Sequence, residues 1–146
     1  MRMISRASAV LAGLLSLLVF SAVAVAASPH FIGTPTATVS GNTLTVNFKA
    51  AGLGNAGTAD FTLSGNVTVN SRCYTKSNNK PQAANKQETI DVNQTKTFAV
   101  RNGQTTGSFT VSPLSTLSCP PGQKTVIESV DYSDLVLSGE GLTYEF

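Results

Sequence analysis

Apolar and polar residues alternate with a period of two along most of this chain, and no helical period competes with that pattern. Leu44, Val46, Phe48 and Ala50 alternate with Thr45, Asn47 and Lys49. Phe61, Leu63, Val67, Val69 and Cys73 share one parity, with Gly65 and Ser71 between them. Successive side chains of a strand point to opposite faces, so each run reads as a strand with one buried and one wet face. Gly65 allows two readings of the second run: one long strand kinked at the glycine, or two strands folded at Gly65-Asn66. Phe98 and Val100 lie before Asn102-Gly103, and Phe109 and Val111 after it. Both turn residues tolerate positive φ, so this pair predicts a tight hairpin. Val126, Val130 and Tyr132 share a parity, as do Leu142, Tyr144 and Phe146, whereas Leu135-Val136-Leu137 is too short to assign a face. Turn residues at Gly41-Asn42, Gly52-Leu53-Gly54-Asn55, Pro120-Pro121-Gly122 and Gly139-Glu140-Gly141 separate the runs. The expected fold is all-β: a single-domain β-sandwich, immunoglobulin-like in architecture.

Residues 1–27 do not share the alternation. Arg2 and Arg6 precede the uncharged run ASAVLAGLLSLLVFSAVAVAA, which ends on small residues. A basic end, an apolar middle and a small-residue exit read as a secretory signal peptide, with a retained anchor as the competing reading. The expected division is therefore a signal peptide at 1–27 and the β-domain at 28–146. Of the 10 Lys and Arg, the first 27 residues hold Arg2 and Arg6, so 8 remain against 8 Asp and Glu and the domain is neutral. Neutrality argues against a nucleic-acid partner, which calls for a strongly basic face. No second apolar run follows, so no membrane association is expected after cleavage, and the product is expected outside the cell. There, Cys73 and Cys119, the only cysteines, are expected to form a disulfide. Their spacing is not that of a redox pair, and with His30 alone they make no zinc site. No cofactor is expected.

Catalytic constellations are scarce. His30 is the only histidine, and a nucleophilic triad would have to run through it from a segment expected to fray. Asp60, Glu128, Asp131 and Asp134 are the carboxylates left for a carbohydrate-active hydrolase. On a regular strand Glu128 and Asp131 face opposite sides, so no convergence is expected. Residues 75–88, TKSNNKPQAANKQE, contain no large apolar side chain and predict a long polar loop. Arg72, Tyr74, Lys76, Lys80 and Lys86 on and beside it form the candidate ligand loop: the cations would attract an anionic envelope polymer and the phenol would stack on a sugar ring.

The turns and cysteines together resemble a group of small exported proteins from high-GC Gram-positive bacteria. The resemblance rests on Asn42-Thr-Leu-Thr-Val46, Gly52-Leu53-Gly54, the polar Asn78-to-Pro81 stretch after Cys73, and Cys119-Pro120-Pro121-Gly122. It spans most of residues 36–138 and implies export and a β-fold, with no activity to transfer. The leading expectation is a secreted, non-enzymatic binding or surface-associated domain whose partner is a cell-envelope glycan or protein. A self-associating structural component of the envelope is the alternative, because Thr- and Asn-rich edge strands can pair between chains. A secreted carbohydrate-active enzyme comes third.

Overall fold

The computed structural model describes residues 28–146, so the expected signal peptide lies outside the described residues. Those residues are all-β: β1 (His30–Phe31), β2 (Thr36–Ser40), β3 (Thr43–Ala51), β4 (Thr58–Thr75), β5 (Pro81–Ala99), β6 (Thr105–Val111), β7 (Gln123–Gly139) and β8 (Leu142–Glu145). They form two antiparallel four-stranded sheets. In the first sheet β3 is central, with β6 along one side and β2 and β1 sharing the other. The second runs in the order β5-β4-β7-β8. No helix among the described residues is long and apolar enough to cross a membrane.

The inner faces of the two sheets meet in one core, as the alternation dictates. Leu44, Val46, Phe48 and Phe109 from the first sheet bury against Phe61, Leu63, Val67 and Leu137 from the second. Phe48 is the hub: its ring centroid lies 4.5 Å from Phe61, 5.4 Å from Phe98, 6.2 Å from Phe109 and 6.3 Å from Phe31. Small residues make this cluster possible, because a Cβ on Gly107 would overlap the Phe48 ring. Tyr132 ties the layers at the other end, its hydroxyl 2.8 Å from the Asn42 carbonyl and 3.1 Å from that of Val111.

Of the two readings of Gly65, the single long strand is the one found. The β4–β7 register shifts between Ser64 and Asn66, with Gly65 at φ 150° in the bulge. A Cβ there would come within 2.9 Å of the Ser133 and Asp134 carbonyls, so glycine lets β7 approach. The Asn102-Gly103 turn forms as expected, with both φ values positive and reciprocal Arg101–Gln104 bonds of 2.9 and 3.0 Å. It does not close a hairpin, however. Beyond Arg101 and Gln104 the strands part, β5 to one sheet and β6 to the other. Val100 N–H bonds Gly57 O while Thr105 begins pairing with Ala50, so each arm is claimed by a different neighbour.

Three further expectations are corrected. Residues 75–88 are not a long loop: only 76–80 turn, and Pro81 onward belongs to β5, paired with β4. The second sheet is longer than the first at this end, so β5 runs on without an apolar inner face to mark it. Val126 does not share the face of Val130 and Tyr132. A second shift in the β4–β7 register, between Asn70 and Ser71, places Ile127 against the core with them and leaves Val126 opposite Arg72. His30 is exposed, as expected, but not frayed: it pairs with Ala51 in β1, and its Nδ1 lies 3.0 Å from the Ser28 carbonyl.

Candidate binding tip at the disulfide end

At the end of the second sheet that outruns the first, the inner face of β4 continues as Val69, Ser71 and Cys73, all buried. Residues 112–120, crossing from β6 to β7, cover it. The Cys73–Cys119 disulfide, expected from the sequence, is present and fixes this segment at a Cα separation of 5.7 Å. Polar contacts complete the fastening, with the Ser71 and Ser115 hydroxyls 2.5 Å apart. Glu88 accepts from the Thr116 N–H at 2.7 Å and from its hydroxyl at 2.6 Å.

Those donors govern the acid chemistry of Glu88. First the Thr116 hydroxyl and N–H, then the Lys86 ammonium, hold its pKa at about 2, below the ordinary 4.5. A carboxylate depressed in the folded state stabilises the fold above its unfolded pKa and loses that contribution as pH falls through the folded one. The thermal midpoint is therefore expected to fall from about pH 4.5 towards 2. Glu88→Gln should flatten that limb while lowering the neutral midpoint; parallel midpoint-against-pH curves for the two proteins would remove this assignment.

The proposed ligand residues do not gather on one face. Arg72 and Tyr74 lie on the outer face of β4, opposite in parity to buried Ser71 and Cys73. Between them sits Glu128, which takes the Tyr74 hydroxyl at 2.8 Å and faces Arg72 Nε at 3.5 Å. The bond to Glu128 raises the Tyr74 pKa above 10.0. Glu128 reaches this outer face because the Asn70–Ser71 register shift sets it at an irregularity in β7, so it does not oppose Asp131 as a regular strand would require. Lys76 and Lys80 occupy the turn. Its backbone is set by Lys76 N–H to Gly122 O at 2.9 Å, by Thr75 N–H to Lys80 O at 2.9 Å, and by Asn79 at φ 52°. Lys86 is different. It shares parity with Glu88 and Val92, pairs with Glu88 at 3.1 Å and also contacts the Thr116 hydroxyl. It is part of the fastening of the crossover segment and not of an open ligand loop.

One cation escaped the sequence reading. Lys124, exposed, stands directly opposite Tyr74 in the β4–β7 register. Lys76, Lys80 and Lys124 have no carboxylate within ion-pair distance among the described residues, whereas Arg72 and Lys86 each have one. The signal lay in the disulfide: joining Cys73 to Cys119 places the chain after Pro120-Pro121-Gly122 beside Tyr74. Next to this tip a polar hollow of about 290 Å³ is lined by Arg72, Asn85, Gln87 and Glu128 among others. The carboxylates considered for hydrolysis do not converge: Asp131 lies exposed on the outer face of β7 opposite Thr68, and the other three are engaged. Asp60 accepts the Thr97 hydroxyl at 2.5 Å, Asp134 lies 3.5 Å from Asn66 Nδ2, and Glu128 is held as described. Among the described residues no three His, Cys, Asp or Glu side chains form a group that could hold a metal ion. Compared with protein-family models, curated proteins and solved structures, the chain matches none.

Proposed function

We propose that this protein is a secreted, non-enzymatic, immunoglobulin-like β-sandwich that binds an anionic cell-envelope polymer through its disulfide-closed tip. The observation that carries the reading is the cluster of three unpaired lysines, Lys76, Lys80 and Lys124, around the outward Tyr74 ring. Among the described residues Lys49, Lys96 and Arg101 also lack an ion-pair partner, but they are spread along the chain, whereas three of the six unpaired cations stand together at this one end, where they raise the local attraction for an anion. Tyr74, oriented by Glu128, adds a flat apolar surface suited to a sugar ring. The immunoglobulin-like description draws on strand order. The chain alternates between sheets as β3, then β4–β5, then β6, then β7–β8, a Greek-key passage through two layers. Its disulfide departs from the immunoglobulin pattern, since it joins a strand end to a crossover segment and not one sheet to the other. Export is supported by the character of residues 1–27 and by the disulfide, which oxidising compartments favour. The resemblance to small exported proteins of high-GC Gram-positive bacteria points the same way.

The test is retention on an immobilised anionic wall polymer, such as a teichoic acid, at low salt. Replacing Lys76, Lys80 and Lys124 together by Ala should weaken binding by about tenfold to a hundredfold, on the scale of exposed charge pairs. The melting temperature should stay within about 2 °C, because surface changes of this kind cost little stability. Lys86→Ala should lower the melting temperature more than it lowers binding. Equal retention of the triple variant and the parent would sink the proposal.

A further inference from the structure

We infer that a second copy of this chain pairs with it along the free edge of β5, antiparallel and across a two-fold axis at Val92. This proposal is independent of the tip. β5 is the outer strand of its sheet, spans Pro81–Ala99, and pairs only with β4. The bonds at its ends reveal which backbone groups are free. Val100 N–H bonds Gly57 O on the β4 side, while Ala99 O accepts the Thr105 hydroxyl instead. Antiparallel strands bond a given neighbour at alternate residues. The β4–β5 register runs unbroken from Thr58 to Arg72, so Gln87, Thr89, Asp91, Asn93, Thr95 and Thr97 turn their N–H and C=O groups to the open edge. No proline or glycine interrupts that stretch.

Two further observations fall at the same place. A cleft of about 380 Å³ opens between the sheets along this edge, lined by Ile90, Val92, Val111 and Pro113 among others. Leu114 stands at its rim, 79% exposed, the most exposed large hydrophobic side chain of the described residues. A two-fold axis at Val92 brings the two clefts and the two Leu114 side chains together, which removes this apolar surface from water.

The charges select the register. Inward-pointing charges on an edge strand ordinarily blunt indiscriminate pairing. An axis at Asp91 would set Asp91 against its own copy and Lys86 against Lys96. An axis at Val92 avoids both like-charge contacts, sets Asp91 against Asn93 twice and Thr89 against Thr95 twice, and brings Lys96, bonded in its own chain to the Ser108 carbonyl at 3.2 Å, opposite Glu88, which Thr116 and Lys86 already hold. The Thr89–Thr95 pairs extend hydroxyl contacts already present between Thr68 and Thr89 at 3.2 Å and between Thr62 and Thr95 at 2.8 Å. The interface is closed and isologous, so assembly stops at two. The basic tips then point in opposite directions, about 70 Å apart at the rise of a β-strand, and the dimer can bridge two polymer chains.

Sedimentation equilibrium of the purified protein tests this. The average mass is expected to rise from one chain towards two between about 10 µM and 1 mM, the range of a weak edge-to-edge contact. Asn93→Pro removes a free N–H from the edge, and Lys96→Glu places like charges opposite Glu88. Both variants should remain monomeric over that range with cooperative melting retained, and Lys96→Glu serves alone if the proline variant fails to fold. Three results would overturn the inference: a strict monomer at 1 mM, a mass that climbs beyond two chains, or dimers of Lys96→Glu as tight as those of the parent.

Discussion

Reducing the Cys73–Cys119 bond is expected to lower the melting temperature by roughly 15 °C without dissolving the core. The two cysteines are 46 residues apart in sequence. Closing a loop of that length removes unfolded-state entropy equivalent to about 4 kcal/mol, and in a domain of this size each kcal/mol moves the midpoint by about 4 °C. The native consequence is local. Residues 112–120 have no strand partner, so the disulfide and side-chain contacts fasten them: Ser71–Ser115, Glu88–Thr116, Thr125 to the Leu117 carbonyl at 2.8 Å and Thr43–Ser112 at 3.0 Å. Reduction should therefore open the covered end of β4 first and raise hydrogen exchange at Ser71 and Cys73. The Phe48 cluster keeps its protection, because both sheets contribute to it directly. Calorimetry with and without reductant measures the shift. A change under about 3 °C would mean that the side-chain contacts alone hold the crossover segment.

Phe48→Ala should cost about 4 kcal/mol, the largest single-residue effect expected in the core, whereas Phe48→Leu should cost about 1 kcal/mol. Phe48 is 3% exposed and touches four other phenylalanine rings drawn from both sheets. Removing the ring leaves a cavity that cannot collapse from either side. Phe61 and Phe109 sit on different strands of different sheets, and each is fixed by its own register. Gly107 is tolerated there because it leaves room for the ring, so the alanine variant loses both transfer energy and contact. Denaturant unfolding of the two variants gives the comparison. A loss under about 2 kcal/mol for the alanine variant would place the centre of the core elsewhere.

The parts of the fold that could be read in the sequence are those where one sheet faces the other. Leu44 to Ala50 and Phe61 to Val69 alternate because sheet-on-sheet packing imposes a buried and a wet face, and the structure follows them closely. The pattern fails where the covering partner is not a sheet. The first third of β5 looks across at a crossover segment fastened by Ser, Thr and Glu, so its inner positions are Lys86 and Glu88 and its strand character is invisible to periodicity. Bulges are the second source of error. A single extra residue in β7 moves Ile127 inward and Glu128 outward, which no count along the chain reveals. The candidate site was half legible for the same reasons. Arg72, Tyr74, Lys76 and Lys80 belong to the tip, Lys86 belongs to the fastening, and Lys124 joins the tip through a register that only the folded sheet supplies.

The most direct test of the tip as the working surface is a heteronuclear NMR titration of the labelled protein with a soluble anionic wall polymer at low salt. The account predicts that amide shifts concentrate at Tyr74, Lys76, Lys80 and Lys124, follow one binding curve and fade as salt rises past about 0.15 M, where exposed charges more than about 8 Å apart are largely screened. Shifts spread evenly over both sheets, or confined to residues away from the disulfide end, would contradict it.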